Sequence, residues 1–244
     1  MEEALSVLAE CAEDDRARIR EVLEMIASGQ MLDLERFLEA GPERLVALRT
    51  DAELEDYTYR VAGCVGEFWT RICRARLFPA APVDDHFLME NGVRFGRGLQ
   101  LVNILRDLPA DLRQGRCYLP AERLRHVDLR PADLLNPPSE ARLRPVYNAY
   151  LACATDHLRA GWEYTNHLPH SQRRVRLACA WPILIGVRTI AHLKSGHVLA
   201  PEVRIQASRA EVRGILLRSI AYLPWPSVWR RLFERESGRP GLGG

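Results

Sequence analysis

The spacing of apolar residues is helical along nearly the whole chain. After Thr50 they recur at steps of three and four residues, at Leu54, Tyr57, Val61, Val65, Phe68 and Ile72. This spacing places them on one face of an α-helix, whereas a half-buried strand would show a period of two, and the sequence contains no such alternation. The pattern therefore predicts an all-α domain.

Local signals delimit the helices. Thr50 and Glu53 have the spacing of a capping box, which predicts one long helix from there to about Ile72. A second capping box, at Ser208 and Glu211, predicts a helix that ends near residue 222. Further helices are expected at about residues 85–113, 140–167 and 172–197.

Two prolines fall inside these predicted helices. Pro109 removes the backbone N–H that would bond to Leu105, so we expect the 85–113 helix to bend or loosen there. A bend at this place would turn the carboxylates of Asp107 and Asp111 toward one ion. Pro182 interrupts the 172–197 helix in the same way.

The chain is long enough for one sizeable core, with 244 residues of which 47% are hydrophobic and 27% charged. No linker rich in proline or glycine separates halves of different composition, so we expect a single domain over residues 1–235. Residues 236–244 contain four glycines and are expected to form a disordered tail.

Composition excludes several classes of protein. A net charge of +2 is too mild for binding nucleic acid, which needs clustered positive charge. The six cysteines form no Cys-x-x-Cys pair, which indicates reduced thiols in a cytoplasmic protein rather than a zinc site or disulfides. The start of the chain is acidic rather than apolar, so no signal peptide is expected. The longest apolar run, Leu177 to Val187, is shorter than the roughly 20 residues of a membrane span.

Aromatic and basic residues are mixed near the C-terminus, at Trp225, Trp229, Arg230 and Arg231. Such a mixture could form a peripheral contact with a membrane surface. More often a segment of this kind docks on its own domain, and we favour that interpretation. The sequence leaves the oligomeric state open.

Polar residues share one face near the end of the 85–113 helix. Gln100, Asn103, Asp107 and Asp111 are three and four residues apart, which places them one above the other. Two carboxylates one turn apart, with amides beside them, suit Mg²⁺, which completes its octahedron with water and phosphate oxygens. The alternative is a solvated helix face that carries ordinary acids.

Small residues extend this face backward at Gly92 and Gly96, and Gly98 is close by. Each glycine inside a helix costs about 1 kcal/mol relative to alanine, so three of them need a compensating reason. Ala62, Gly63 and Gly66 make a similar small-residue surface on the preceding helix. Close helix packing and a ligand channel explain both sets equally well.

Two segments carry a family resemblance. Residues 57–66 read YTYRVAGCVG, and residues 98–111 read GLQLVNILRDLPAD, followed by GRCYLP at 115–120. Together they resemble the squalene/phytoene synthase family of head-to-head prenyl transferases, and weaker similarity extends from about Gln30 through Arg209. The resemblance implies an all-α isoprenoid synthase bundle with a central cavity, N-terminally incomplete.

The same resemblance implies roles for individual residues. Asp107, Asp111 and Asn103 would hold Mg²⁺ against a prenyl diphosphate, with Gln100 beside them and Arg106 near the phosphate oxygens. Tyr57 would lie at the reacting carbons; its alternative is a core tyrosine whose hydroxyl has found a partner. The tails of the substrates would lie along Val61, Val65, Gly92 and Gly96. Because arginine forks match phosphate oxygens, we expect further diphosphate contacts from Arg204, Arg209 and Arg213, with a solvent-facing charge as an equal alternative for each. Of these, Arg204 and Arg209 also fall near basic positions of the family.

One family motif is missing. Relatives carry a first aspartate-rich motif, Asp-x-x-x-Asp, on an earlier helix, and residues 25–34 align with a region that normally follows it by several dozen residues. We therefore expect either a truncated chain or a natural remnant, and favour truncation because Tyr57, Asp107 and Asp111 are intact. The 244-residue chain should then expose apolar surface where the missing helices would pack, and its activity alone is in doubt.

The activity implied is that of a prenyltransferase. A squalene synthase-like enzyme would condense two farnesyl diphosphates to presqualene diphosphate and reduce this to squalene with NADPH. The alternative within the family is a phytoene synthase, which joins two geranylgeranyl diphosphates without a reductant. An alternative of another class is a non-catalytic member that acts as an interaction or assembly protein.

Overall fold

The computed structural model describes residues 8–200 and 205–238. Its helices are α1 (Glu13–Arg36), α2 (Asp51–Thr58), α3 (Cys64–Arg76), α4 (Asp85–Arg113), α5 (Ala121–Arg125), α6 (Glu140–His167), α7 (Arg173–Ser195), α8 (Arg209–Tyr222), α9 (Pro226–Arg230) and α10 (Leu232–Glu236). A π-helix (Tyr59–Gly63) joins α2 to α3, and 3-10 helices lie at Pro131–Leu135 and Pro137–Ser139. The predicted all-α fold is confirmed, and the predicted long helices match α4, α6, α7 and α8 closely.

Helix α4 lies at the centre of the bundle. It begins after Asp84, whose Oδ1 accepts a hydrogen bond from the backbone N–H of Phe87 at 3.0 Å. Helices α3, α6 and α7 and the π-helix pack around it. Its buried side chains include Leu88, Leu105 and Leu108, which are among the least exposed in the described part of the protein.

Pro109 lies inside α4 without ending it, and the helix continues to Arg113. A proline at this position cannot donate to the carbonyl of Leu105. The hydroxyl of Tyr147, on α6, donates to that carbonyl at 2.8 Å, and the Tyr147 side chain is fully buried. A buried carbonyl without a partner is costly, so this bond explains how the core tolerates the proline.

The predicted long helix after Thr50 is interrupted by a π-turn. Thr50 caps α2 as expected, since its hydroxyl accepts from the backbone N–H of Glu53 at 3.4 Å. The Glu53 carboxylate, however, accepts from the backbone N–H of Arg49 at 2.7 Å rather than from that of Thr50. The π-helix between α2 and α3 shifts the register by one residue, and its five residues form the middle of the YTYRVAGCVG segment.

Two strands were not expected. β1 (Val46–Ala47) and β2 (Arg116–Cys117) form a parallel pair of two residues each. The turn into β2 contains Gly115 at φ +81°, and a Cβ there would lie 2.3 Å from backbone atoms of Gly41, so only glycine fits. The pair holds the segment after α4 against the segment after α1.

The C-terminal helices pack on the bundle. Trp229 is buried, its ring stacks on Trp162 with centroids 5.3 Å apart, and its Nε1 donates to Asn166 at 3.0 Å. The favoured interpretation of this segment, docking on its own domain, therefore holds for Trp229. Trp225, in contrast, is 59% exposed.

Most of the tail predicted over residues 236–244 lies outside the described residues, which end at 238, but its first residue is part of a helix. Glu236 ends α10, it is 4% exposed, and its carboxylate accepts from Arg218 at 2.7 Å. A buried ion pair fixes this residue in the folded domain, so the domain extends past residue 235.

Within the described residues, α7 is the one helix whose length and composition would allow it to cross a bilayer. Half of the relevant window is buried inside the protein. Its buried residues, such as Ile183 and Leu184, belong to the common core with those of α4 and α6. This places α7 as a core helix.

Candidate active site

A mainly apolar channel runs beside α4. Its volume is about 370 Å³. Five of the predicted substrate-binding residues line it, namely Val61, Val65, Gly96, Gln100 and Asn103. The channel is also lined by Trp69, Phe95, Leu99 and Cys179. The structure thus brings residues from the two family-like segments to one cavity.

Close helix packing explains the glycines directly. A Cβ on Gly66 would lie 1.8 Å from the carbonyl oxygen of Gly92, and a Cβ on Gly96 would lie 2.0 Å from that of Ala62. No side chain fits either gap without moving the backbones apart. Gly96 also lines the channel, so at this residue both explanations, close helix packing and a channel, apply.

Gly92 departs from its predicted role. It is buried, and a Cβ on it would meet the Thr70 hydroxyl at 2.6 Å and the Gly66 carbonyl oxygen at 3.0 Å. Gly92 is not among the residues that line the channel in the described part of the chain. It therefore allows α3 and α4 to approach rather than providing a wall for substrate.

The two aspartates follow the channel along α4. Asp107 lies one turn beyond Asn103, and Asp111 one turn further. The guanidinium of Arg106 binds the Asp107 carboxylate with both arms, with Nε donating to Oδ1 at 3.0 Å and Nη2 donating to Oδ2 at 2.5 Å. Such a planar fork matches phosphate oxygens equally well.

The Asp111 carboxyl has an unusually high pKa. Burial, reinforced by the negative charge of Asp107, raises its pKa to about 6, while Arg116 acts in the opposite direction. A cation bound between Asp107 and Asp111 would stabilise their ionised forms, because its charge would offset the repulsion between them and the cost of their burial.

Mg²⁺ fits these residues. Among the described residues, no group of three or more His, Cys, Asp or Glu side chains is placed to hold a metal. Mg²⁺ does not require such a group, because it commonly takes one or two carboxylates and fills its remaining positions with water and phosphate oxygens. Asp107 and Asp111, with the Asn103 amide next to them, supply that minimum, and the repulsion between the two acids is what the ion would relieve.

Tyr57 lies in a cluster that the sequence did not predict. Its ring stacks on that of Tyr118 with centroids 5.0 Å apart. The Tyr118 hydroxyl donates to the carboxylate of Asp33, at 3.0 Å from Oδ1 and 3.1 Å from Oδ2. Burial, together with the negative charges of Asp33 and Asp111, raises the pKa of Tyr57, so its hydroxyl keeps its proton at neutral pH.

Asp33 is the main residue that sequence reasoning missed. It is 8% exposed on α1, and burial raises its pKa against the opposing effects of Tyr118 and Arg116. In the structure Asp33 shares one face of α1 with Val22 and Gly29, and all three are buried. A carboxylate on such a face needs a partner, which indicates a functional or structural role.

The arginines predicted to contact diphosphate do not gather at this site. Arg209 is exposed at the first residue of α8, and Arg213 is exposed one turn later. Neither lines the channel described above. For both, the solvent-facing alternative is the one that the structure supports. Arg204 lies outside the described residues.

A larger groove, of about 740 Å³, lies between α2, α4 and α6. Its walls include Arg97 and His157, and none of the predicted site residues. We place the candidate active site at the smaller channel because the two amides and the small residues line it, and the two aspartates follow them on the next turns of α4.

The chain matches the squalene/phytoene synthase family over residues 1–211. This covers well over half of its length. The chain belongs to the squalene/phytoene synthase family. The family explains why the YTYRVAGCVG segment and the aspartate-bearing segment of α4 meet at one cavity.

Individual relatives cover the chain in part. It is 34% identical to a phytoene synthase of Thermus thermophilus over 144 residues, which are 57% of this chain and 44% of the relative. It is 32% identical to a 15-cis-phytoene synthase of Synechococcus elongatus over 141 residues, 55% of this chain and 42% of the relative. A bifunctional lycopene cyclase/phytoene synthase of Colletotrichum graminicola is 29% identical over 74% of this chain and 28% of its own length. The chain thus spans less than half the length of these relatives.

Solved structures show the same fold. The squalene synthase TcSQS in complex with a ligand superposes with a TM-score of 0.75 at 19% identity, covering 97% of this chain and 66% of that one. A dehydrosqualene synthase in complex with a ligand gives a TM-score of 0.65 at 19% identity, covering 84% of this chain and 65% of that one. These likenesses confirm the isoprenoid synthase bundle.

Proposed function

We propose that this protein performs a head-to-head condensation of two prenyl diphosphates. The observation that carries the proposal is the order of groups along α4: small and apolar residues beside a channel, then amides, then two carboxylates one turn apart, of which Asp111 has a raised pKa. A prenyl diphosphate has the same order, with an apolar tail and an anionic head that needs cations.

Each part of the channel has a task in such a reaction. Asp107, Asp111 and Asn103 would hold Mg²⁺, which neutralises the charge that develops on a departing diphosphate. The guanidinium of Arg106 can exchange its carboxylate partner for phosphate oxygens, since both match its fork. Apolar walls exclude water, which would otherwise capture an allylic cation.

Aromatic side chains would stabilise the carbon of the allylic cation that carries the positive charge. Trp69 and Phe95 line the channel and present π-electrons, which attract a cation in a water-poor site. Tyr57 is held by its stacking on Tyr118, and its protonated hydroxyl provides a dipole close to Asp111. We propose Tyr57 as the residue nearest the reacting carbons.

The names of the relatives favour the longer substrate. The curated relatives described above are phytoene synthases, so we propose two geranylgeranyl diphosphates as substrates, with no reductant. The squalene synthase-like reaction that the sequence favoured, with farnesyl diphosphate and NADPH, is the second candidate. It is supported by the extent of the structural likeness to a squalene synthase.

A direct assay tests the proposal. The protein is incubated with Mg²⁺ and either geranylgeranyl diphosphate, or farnesyl diphosphate with and without NADPH, and the extracted products are analysed by mass spectrometry. A C40 hydrocarbon supports the first candidate, and a C30 product the second. If neither substrate yields a coupled product, with the 244-residue chain or with a chain extended by upstream coding sequence, the condensation is contradicted and the non-catalytic alternative gains support.

Paired variants test the site. Replacing Asp107→Asn together with Asp111→Asn should reduce product formation by at least about 100-fold, because the diphosphate loses its counter-ion site. The matched control is Glu90→Gln, an exposed acid on the same helix, which should leave the rate unchanged. Equal activity of the double variant and the control would contradict the metal assignment.

A further inference from the structure

A chain of hydrogen-bonding groups leads from Tyr57 to a buried carboxylate. The rings of Tyr57 and Tyr118 are stacked 25° from parallel with centroids 5.0 Å apart, and a hydrogen bond between their hydroxyls contributes to the pKa of each. The Tyr118 hydroxyl in turn donates to Asp33, at 3.0 Å from Oδ1 and 3.1 Å from Oδ2. Helix α2, the segment after β2 and helix α1 thus contribute one group each to a single path.

The direction of these hydrogen bonds follows from the chemistry of the last group. An ionised carboxylate only accepts, and a hydroxyl has a single proton to donate. Because the proton of Tyr118 is directed to Asp33, the Tyr118 oxygen is left to accept from Tyr57. The proton of Tyr57 is then used toward Tyr118, so a further neighbour of Tyr57 meets the lone pairs of its oxygen.

The surroundings of Asp33 make it a suitable proton acceptor. Nη1 of Arg116 lies 3.4 Å from its Oδ2, and Arg36 acts on it from the same end of α1. These cations and the Tyr118 hydroxyl favour the ionised carboxylate, but burial opposes them more strongly and raises its pKa. The negative charges of Asp33 and Asp111 also repel each other. A proton on Asp33 would relieve both the burial and this repulsion.

Tyr57 lies where the reaction is proposed to occur. It comes one turn before Val61 on the inward stripe of the chain, and Val61 lines the channel. The carboxylate of Asp111 is close enough to raise the pKa of Tyr57. Tyr57 therefore adjoins both the channel wall and the proposed cation site, and the path to Asp33 starts at that point.

Given the proposed condensation, on which this inference rests, we propose that Asp33 is the final acceptor of the proton that the reaction releases. When an allylic cation joins the C=C bond of the second prenyl diphosphate, the π electrons form the new C–C bond and a carbocation remains. It is neutralised when an adjacent C–H bond breaks and leaves its electron pair on carbon.

The released proton follows the hydrogen bonds described above. It binds to the Tyr57 oxygen as the proton of Tyr57 passes to Tyr118 and that of Tyr118 passes to Asp33. Both tyrosines end neutral, and the Asp33 carboxylate becomes a carboxylic acid. Asp33 and Tyr118 are positioning residues in this scheme, because Tyr57 alone meets the substrate.

The other acceptors near the site are fewer than its acids suggest. Asp107 and Asp111 are assigned to the cation in the proposed function, and a carboxylate that holds a cation is a poor base. The departing diphosphate is the remaining acceptor, and the experiment below distinguishes it from Asp33.

Single-turnover kinetics with Mg²⁺ and saturating prenyl diphosphate test the relay. Asp33→Asn keeps an oxygen that accepts from Tyr118 but takes up no proton, so coupled product should form about 100-fold more slowly with KM little changed. Asp33→Glu should recover most of the loss. The original protein should react more slowly in D2O than in H2O, and this difference should shrink in Asp33→Asn. The matched control is Glu35→Gln, an exposed acid on the same helix, which should behave as the original protein.

A second variant separates the relay from a loss of folding. Tyr118→Phe interrupts the same path and should slow the reaction by a similar factor, whereas Tyr222→Phe should not, and circular dichroism shows that each variant is folded. If Asp33→Asn couples at the original rate, or keeps the full solvent isotope effect, the diphosphate takes the proton and this proposal fails while the condensation stands. If the original protein yields no coupled product, the proposed function fails and the relay fails with it.

Titration of tyrosine absorbance tests the coupling without substrate. The charge of Asp33 raises the pKa of Tyr57, so Asp33→Asn should move the ionisation of Tyr57 to lower pH. Adding Tyr57→Phe should remove that step from the titration, and Glu35→Gln should titrate as the original protein does. An unchanged titration of Asp33→Asn would show that the carboxylate and Tyr57 are not coupled, and would overturn the relay.

Discussion

The chemistry of the site depends on where single carboxylates lie relative to one another. Asp111 is the clearest case: burial and the charge of Asp107 raise its pKa to about 6 from an ordinary value of 3.8. In the metal-free protein, this group is more easily ionised when the chain is unfolded. Its contribution to stability is therefore intact below about pH 4 and is lost as the pH rises through about 6.

Replacing Asp111→Asn should stabilise the metal-free protein at high pH. The amide cannot ionise, so at pH 8 the free energy of unfolding should rise by about 1–2 kcal/mol, a figure reduced for solvent screening, and the gain should vanish near pH 4. Urea unfolding with a chelator present measures this. Glu90→Gln should show no such pH dependence. A variant less stable than the original protein at pH 8 would contradict the pKa assignment.

The Tyr118 hydroxyl is predicted to stabilise the fold through Asp33. Tyr118→Phe removes the donor and leaves a buried carboxylate with fewer hydrogen bonds, which should cost about 1–3 kcal/mol in the free energy of unfolding. Tyr222→Phe is the control, since the Tyr222 hydroxyl has no hydrogen-bond partner in the described ranges, and it should change stability by less than about 0.5 kcal/mol. Denaturant titration compares them. Equal effects would show that the bond to Asp33 contributes nothing.

At the scale of helices, the stability of the fold depends on how closely the backbones of neighbouring helices approach. Gly96→Ala would place a Cβ 2.0 Å from the carbonyl oxygen of Ala62, so α4 and the π-helix would have to separate. We expect a loss of about 3 kcal/mol or more in the free energy of unfolding. In Gly214→Ala the new Cβ meets only the flexible end of Arg218, and the better helix propensity of alanine should stabilise α8 by about 0.5–1 kcal/mol. Thermal unfolding of the two variants should therefore shift in opposite directions.

The start of α8 depends on Glu211. Its carboxylate accepts from the backbone N–H of Ser208 at 2.8 Å and also binds Arg188 and His192. These bonds, the backbone one first, lower its pKa to about 2 from 4.5. Glu211→Gln should cost about 1 kcal/mol at neutral pH. Because a depressed pKa stabilises the fold only above the ordinary value, the difference should shrink as the pH falls from 4.5 toward 2, which acid titration by circular dichroism can follow.

Sequence reasoning succeeded where the signal is local. Thr50 and Ser208 cap their own helices, so the starts of α2 and α8 could be placed from neighbouring residues alone. The π-helix was missed because one extra residue leaves the apolar spacing readable as threes and fours. The strand pair was missed because each strand has two residues and its partner lies about 70 positions away.

The same distinction applies to the site. Asn103, Asp107 and Asp111 lie on one helix, and their common face follows from spacing. Asp33 acquires its role from Tyr118, 85 residues later in the chain, and spacing gives no access to that contact. Arg209 was assigned to the diphosphate by resemblance, although the apolar positions of α8 already indicate that it faces outward.

At the scale of the whole molecule, α1 and the turn that follows it present an exposed apolar stripe of Leu23, Ala27, Met31, Leu34 and Leu38. The last of these is 81% exposed. The stripe flanks the buried face of α1 that carries Asp33, so it adjoins the candidate site. Exposed apolar surface was expected from the sequence, and a stripe of this length is more than an isolated surface residue.

Replacing Leu34→Gln together with Leu38→Gln should leave the fold intact and reduce self-association. Neither side chain is buried, so little transfer free energy is lost, and the free energy of unfolding should change by less than about 0.5 kcal/mol. Loss of apolar area should lower both the binding of a hydrophobic dye and the fraction of oligomer in sedimentation velocity. Val22→Gln on the opposite, buried face is the contrasting variant: it should destabilise the protein, because a polar amide would enter the packing against the π-helix and α3. A loss of stability in the Leu34→Gln with Leu38→Gln variant as large as that in Val22→Gln would mean that the stripe is packed in the folded protein. This result would contradict the exposure of the stripe.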